Sequence, residues 1–171
     1  MGVTDSAMIG RAGTVPLAAS AFGGNVFNVF FVVGIGLMIP VSILVSRARG
    51  GAKPEEASEY LRHGMTLALI FGAVETLMMV VLGTQLARFG QPPEVLAVVM
   101  PFYLMMAASL TSVFVYLVLR QFAEAMGHPW VPMFIMLAGV GLNALLNWVF
   151  IYGHLGAPAL GLTGAGISTL V

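Results

Sequence analysis

Long runs without a charged side chain dominate this sequence, and they set its architecture. No Asp, Glu, Lys or Arg occurs from Ala12 to Ser46, from Val95 to Leu119, or from Ala125 to Val171. A helix needs about 20 mainly apolar residues to cross the hydrocarbon core of a bilayer. The runs therefore predict spanning helices over 15–46, 95–124 and 130–152. The segment 61–89 predicts another, although it carries Glu75 near its middle. The first of these is longer than a bilayer requires, so it is expected to tilt or protrude, with Gly34, Gly36 and Pro40 as bend points. Residues 1–10 read as the last turns of a helix whose beginning is missing. Beyond a Gly/Pro-rich turn over 153–161, residues 164–171 read as the first turns of one more. The stop at Val171 inside an apolar segment gives the expectation of a piece of a longer chain. The expected fold is all-α and integral to the membrane. It is a polytopic helix bundle forming a single membrane domain over 1–171, with four full transmembrane helices and partial helices at both ends.

Composition agrees with the pattern. Hydrophobic residues make up 59% of the chain and charged residues 8%. The mean hydropathy is +0.98, whereas soluble domains are about 25% charged. Seven basic and seven acidic side chains could not cover the surface of a soluble protein of this length. The net charge of zero comes without a basic patch, so no nucleic-acid partner is expected. There is no Cys, which excludes disulfides, thiolate catalysis and Cys-based metal sites, and His63, His128 and His154 are too scattered for a metal cluster. No signal peptide is read at the start, because Met1 lacks a basic region and Asp5 interrupts the apolar stretch. Met1-Gly-Val-Thr-Asp-Ser6 fits the myristoylation pattern, but a chain with several spans gains little from one acyl anchor. Arg47, Arg49, Lys53, Arg62 and Arg120 fall on one side of four alternating helices, against Arg11 and Arg88 on the other. The positive-inside rule then puts the 47–62 loop in the cytoplasm. Trp130 and Tyr152 flank the fourth span as interfacial aromatics do.

Polar residues inside these spans are the candidates for chemistry. Asn143 and Asn147 lie four apart on one helical face in an apolar run. An amide left unpaired in hydrocarbon costs roughly 2–7 kcal/mol, so this face must look at protein, water or a ligand. Two readings stay open: glue between helices at around 1 kcal/mol per bond, or amides that offer oxygens to a cation or hold a carboxylate. Asp5 reads either as an interfacial residue paired with Arg11 or as a membrane carboxylate that exchanges a proton or binds a cation. Glu75 is intramembrane on any register, either bonded to a neighbouring helix or functional. Arg120 and Glu124, at i and i+4, form an ordinary helix-end ion pair. The Gly-rich stretches allow close helix approach, and the twelve Met residues are apolar filler or a flexible ligand-accepting wall.

An ordered series of short motifs then points to a family. Asp5-Ser-Ala-Met-Ile-Gly-Arg11, Pro16-Leu-Ala-Ala19 and Val45-Ser-Arg-Ala-Arg-Gly50 come first. Leu119-Arg-Gln-Phe-Ala-Glu-Ala-Met-Gly127 and Asn143-Ala-Leu-Leu-Asn-Trp-Val-Phe-Ile-Tyr-Gly153 follow. Gly156-Ala-Pro-Ala-Leu-Gly161 and Gly164-Ala-Gly-Ile-Ser-Thr169 complete it. Together, over the whole chain, they resemble the MATE (multidrug and toxin extrusion) family, NorM-like branch. The resemblance implies part of a six-helix lobe of a twelve-helix transporter, from the end of helix 1 to the start of helix 6. It further implies a secondary antiporter, not an enzyme, that exports drugs or organic cations in exchange for H+ or Na+, without any other cofactor. Its implied partners are cationic or amphipathic small molecules, the lipid bilayer and the remaining C-terminal lobe, and its implied location is the bacterial inner membrane. The family's cation or proton site falls on Asp5, Asn143, Asn147 and Thr169, with Na+ at Asp5 if sodium is the coupling ion.

The sequence also departs from the family. Asn147 stands where some members have Asp, Arg47 where Gln is common, and a helix-4 proline is absent near Thr111. Asp5 is then the sole carboxylate among the four carried-over positions, and Glu75 has no counterpart. Three rival readings remain: a lipid-linked oligosaccharide flippase of the same superfamily, an intramembrane enzyme using Asp5 and Glu75 as an acid/base pair, and a membrane scaffold. The flippase would call for basic residues facing a cavity, and no Lys or Arg lies inside a span away from its ends.

Overall fold

A computed structural model describes residues 9–10, 14–85, 93–153 and 160–170. Among them Ile9 and Gly10 are helical, and five helices follow: α1 (Thr14–Gly50), α2 (Pro54–Thr84), α3 (Pro93–Ala125), α4 (Trp130–Tyr152) and α5 (Leu162–Leu170). Stretches of α1 to α4 are each long and apolar enough to cross a membrane: Thr14–Gly50, Pro54–Thr84, Val99–Ala125 and Trp130–Ile151. The chain is an all-α, multi-pass membrane protein.

Local chemistry explains where these helices start and stop. Arg47 and Arg49 fill the last turn of α1, where cations oppose the negative end of the helix dipole. The turn to α2 is closed by the amides of Ala52 and Lys53, which donate to the carbonyls of Arg49 and Ala48. Pro54 then opens α2, with Glu55 and Glu56 in its first turn at the positive dipole end. The second helix thus begins at Pro54 rather than at 61. The charged residues over 54–62 are kept out of hydrocarbon but not out of helix, so apolar content marks the span and not the element. At its other end α2 finishes at Thr84, short of the expected 89, with the Gln85 amide bonded to the Leu82 carbonyl. α1 runs unbroken through Gly34, Gly36 and Pro40. At the end of α3, Gly127 adopts φ 82° while its amide donates to Glu124 and that of His128 to Ala123, a Schellman stop.

The core is the seam of α1, α2 and α3. α1 and α3 run parallel: Gly23 meets Phe102, Gly34 meets Phe114, and Arg49 Nη1 donates to the carbonyl of Ala125 at 3.1 Å. α2 runs against both, with Gly64 on Val41 and Val118, Gly72 on Thr111 and Gly83 on Tyr103. Small residues let the backbones approach where lipid provides no hydrophobic drive between helices. Tyr103, Leu110, Phe114 and Val118 of α3 are fully buried there. The short α5 bridges outward from this core. Gly166 lies on Met105 and Phe102 of α3, and Gly164 lies on the Phe150 carbonyl of α4. α4 touches α3 lightly, through the Tyr116 hydroxyl donating to Pro132 O at 3.3 Å. It exposes Trp130, Phe134, Ile135, Leu137 and Leu145, an apolar surface suited to lipid or another membrane helix.

Candidate functional site

The amides of α4 face the short helix α5. Asn143 is 2% exposed and Asn147 is 0% exposed, in a helix that otherwise leaves most of its large side chains uncovered. Their four-residue spacing stacks them, and Asn147 Nδ2 donates to Asn143 Oδ1 at 3.3 Å. Asn143 Nδ2 in turn donates to the Ser168 carbonyl of α5 at 3.3 Å. The result is a directed chain from Asn147 through Asn143 into the backbone of α5. Gly164 makes it reachable, because a side chain there would strike the Phe150 carbonyl and hold the two helices apart. Ser168 is itself buried and donates its hydroxyl to the Gly164 carbonyl at 2.9 Å.

Thr169 sits one residue further along α5, half-buried, with its hydroxyl donated to the Ala165 carbonyl at 2.9 Å. The α5 residue bonded to Asn143 is thus Ser168. Sequence reasoning missed it because its contribution is a backbone carbonyl, which leaves no signature in side-chain type. Asp5 and Arg11 lie outside the described residues. Among the described residues the structure joins Asn147 to Asn143 and Asn143 to α5, while Thr169 is bonded within α5. An uncharged amide chain of this kind can orient a carboxylate or complete a cation's oxygen shell, while the charge itself must come from elsewhere.

Glu75 is not brought to this cluster. α2 packs on α1 and α3, whereas α5 packs on α3 and α4, so α3 stands between Glu75 and the amides. The Arg120–Glu124 pair forms as expected at 2.7 Å, exposed at the end of α3. That end also gathers Arg47, Arg49 and Lys53, the last paired with Glu56 at 2.6 Å. Glu56 raises the Lys53 pKa above its usual value, chiefly through this hydrogen bond. The basic residues of the 47–62 connection and Arg120 therefore lie at one end of the bundle.

The MatE family model matches residues 1–149, and the chain belongs to the MatE family. It is 34% identical over 167 residues to a probable multidrug resistance protein NorM of Bradyrhizobium diazoefficiens, covering 97% of this chain and 36% of that protein. A probable multidrug resistance protein NorM of Mesorhizobium japonicum is 30% identical over 171 residues, covering 99% and 37%. The chain spans about 37% of the length of such relatives. The fold matches solved structures of a multidrug resistance MATE family transporter of the MOP superfamily. Its outward-facing and inward-facing conformations each give a TM-score of 0.89 at 24% identity, covering 99% of this chain.

Proposed function

We propose that this chain forms part of the N-terminal lobe of a secondary antiporter that exports drugs or organic cations in exchange for inward-moving H+ or Na+. The observation that carries the reading is the buried amide chain from Asn147 through Asn143 to the Ser168 carbonyl, a polar site inside spanning helices. In this reading Asp5 is the charged group, and Asn143 and Asn147 steady it from α4, with Thr169 completing the wall from α5. Uptake of H+ or Na+ at Asp5 changes what these amides bond to. A bound ion shifts the inward/outward equilibrium only through different affinity for the two states. The near-equal fit of this lobe to outward-facing and inward-facing relatives supports rigid-body motion of the lobe, with the difference in affinity arising where it meets the rest of the transporter. The bilayer is the bacterial inner membrane, with the 47–62 loop in the cytoplasm.

The test is Asp5→Asn in the full-length protein, in proteoliposomes with an imposed proton or sodium gradient and a fluorescent cationic drug. Loss of gradient-driven efflux with normal insertion is expected. Efflux at the unsubstituted rate would overturn the mechanism.

A further inference from the structure

Glu75 lies on the α2 face formed by Ala68, Gly72, Met79 and Gly83, all buried, and is itself 5% exposed. Along the α2–α3 seam it falls between the contact of Gly72 with Thr111 and the hydrogen bond from the Tyr103 hydroxyl to the Met79 carbonyl, 2.8 Å. Its neighbours in the seam are bonded across it: Thr76 donates to the Ala107 carbonyl at 3.0 Å and lies 3.4 Å from the Thr111 hydroxyl. Glu75 is different. Its Oε2 is buried and has no hydrogen-bond partner among the described residues. A carboxyl kept only to tie helices together would use its oxygens across the seam, as Thr76 and Tyr103 do.

Among the described residues no cation faces it either. α1 carries no titratable side chain between Thr14 and Ser46. From α3 the nearest titratable group is Tyr103, committed to Met79, while Tyr116 is tied to Pro132 and Arg120 to Glu124 toward the far end. On α2 itself the next such group is His63, about three helical turns away. An ionised carboxylate left unpaired in such a setting costs far more than the neutral acid.

We propose that Glu75 is a second proton-binding site of the lobe, separate from the amide chain of α4. The proton resides on the Glu75 carboxyl while α1, α2 and α3 are packed together. When the α2–α3 seam admits water the O–H bond breaks, the electron pair stays on the carboxylate and the proton passes to that water. Gly72 and Gly83, which let α2 lie close on α3, keep the site dry in the packed state. The site is defined by burial and packing alone, so its occupancy can be read whether or not the protein exports drugs.

The experiment is infrared spectroscopy of the full-length protein in lipid vesicles over a pH series, in H2O and D2O, for the unsubstituted protein, Glu75→Gln and Glu75→Asp. Expected is a protonated-carboxyl C=O band that is absent in E75Q, displaced in E75D and shifted by D2O. It should lose most of its intensity reversibly as pH rises within the range where the protein stays folded. E75Q, which mimics the neutral acid, should unfold at the temperature of the unsubstituted protein. Should E75Q fail to fold, the displaced E75D band supplies the assignment. Absence of the band at neutral pH would overturn the proposal, and so would a band of constant intensity up to the alkaline limit of folding.

Discussion

Gly72 offers the sharpest measurement of how this lobe is held together. A Cβ added there would lie 2.7 Å from Thr111 Cα and 3.0 Å from its Oγ1. The first of these is backbone, so no rotamer change relieves the clash, and α2 must move away from α3. Overpacking of this kind costs about 1–3 kcal/mol. The bonds from Thr76 to Ala107 and from Tyr103 to Met79 lie about one and two turns further along α2 and would stretch with the separation. Interhelical bonds in membranes average about 0.6 kcal/mol each. Against these losses stands a gain of about 0.8–1.0 kcal/mol from replacing Gly by Ala in a helix. Gly72→Ala should therefore destabilise by about 1–3 kcal/mol. Gly36 is the control, because a Cβ there meets nothing within 4 Å. Gly36→Ala should be neutral or stabilising by up to about 1 kcal/mol. Equilibrium unfolding of the full-length protein in mixed detergent, followed by tryptophan fluorescence and circular dichroism, measures both. If Gly72→Ala proves as stable as Gly36→Ala, the close α2–α3 seam is wrong.

Two further substitutions test other contacts. Ala52 holds φ 54° in the turn after α1, a conformation that costs a non-glycine residue about 1–2 kcal/mol. Ala52→Gly is expected to raise stability by about 0.5–1 kcal/mol after allowing for the greater flexibility of unfolded glycine, and a lowered unfolding midpoint would contradict that turn. Asn143→Leu removes both the acceptor for Asn147 and the donor to the Ser168 carbonyl. It should cost about 1–2 kcal/mol and reduce gradient-driven efflux; unchanged unfolding and transport together would show that the amide chain does nothing.

The four spans were legible because hydrocarbon imposes one unambiguous demand, a long and mainly apolar run, and α1 to α4 meet it, α2 despite Glu75. The start of α2 was not, because a helix can continue into water: Pro54, Glu55 and Glu56 carry the signals of a helix N-terminus that hydropathy ignores. The stacked amides were visible from their spacing, since two polar side chains on one apolar face have few explanations. Their partner on α5 was hidden, because a main-chain carbonyl looks the same in every residue. Gly72 illustrates a third kind of limit. It stands alone outside the Gly-rich stretches, and that it approaches Thr111 depends on how α2 and α3 are set against each other in depth.

The placement of α5 has a consequence for how the lobe is made. Helices enter the membrane in chain order, so α4 arrives with Asn143 and Asn147 before the Ser168 carbonyl of α5 exists to receive them. The seam of α1, α2 and α3 uses segments synthesised earlier. It can close while α4 is still attached mainly through its loop and the Tyr116–Pro132 bond. Birth order thus separates a scaffold that is finished early from a polar site whose last wall arrives with α5. A nascent chain halted ahead of α5 would carry its two amides into the bilayer with that wall still unbuilt.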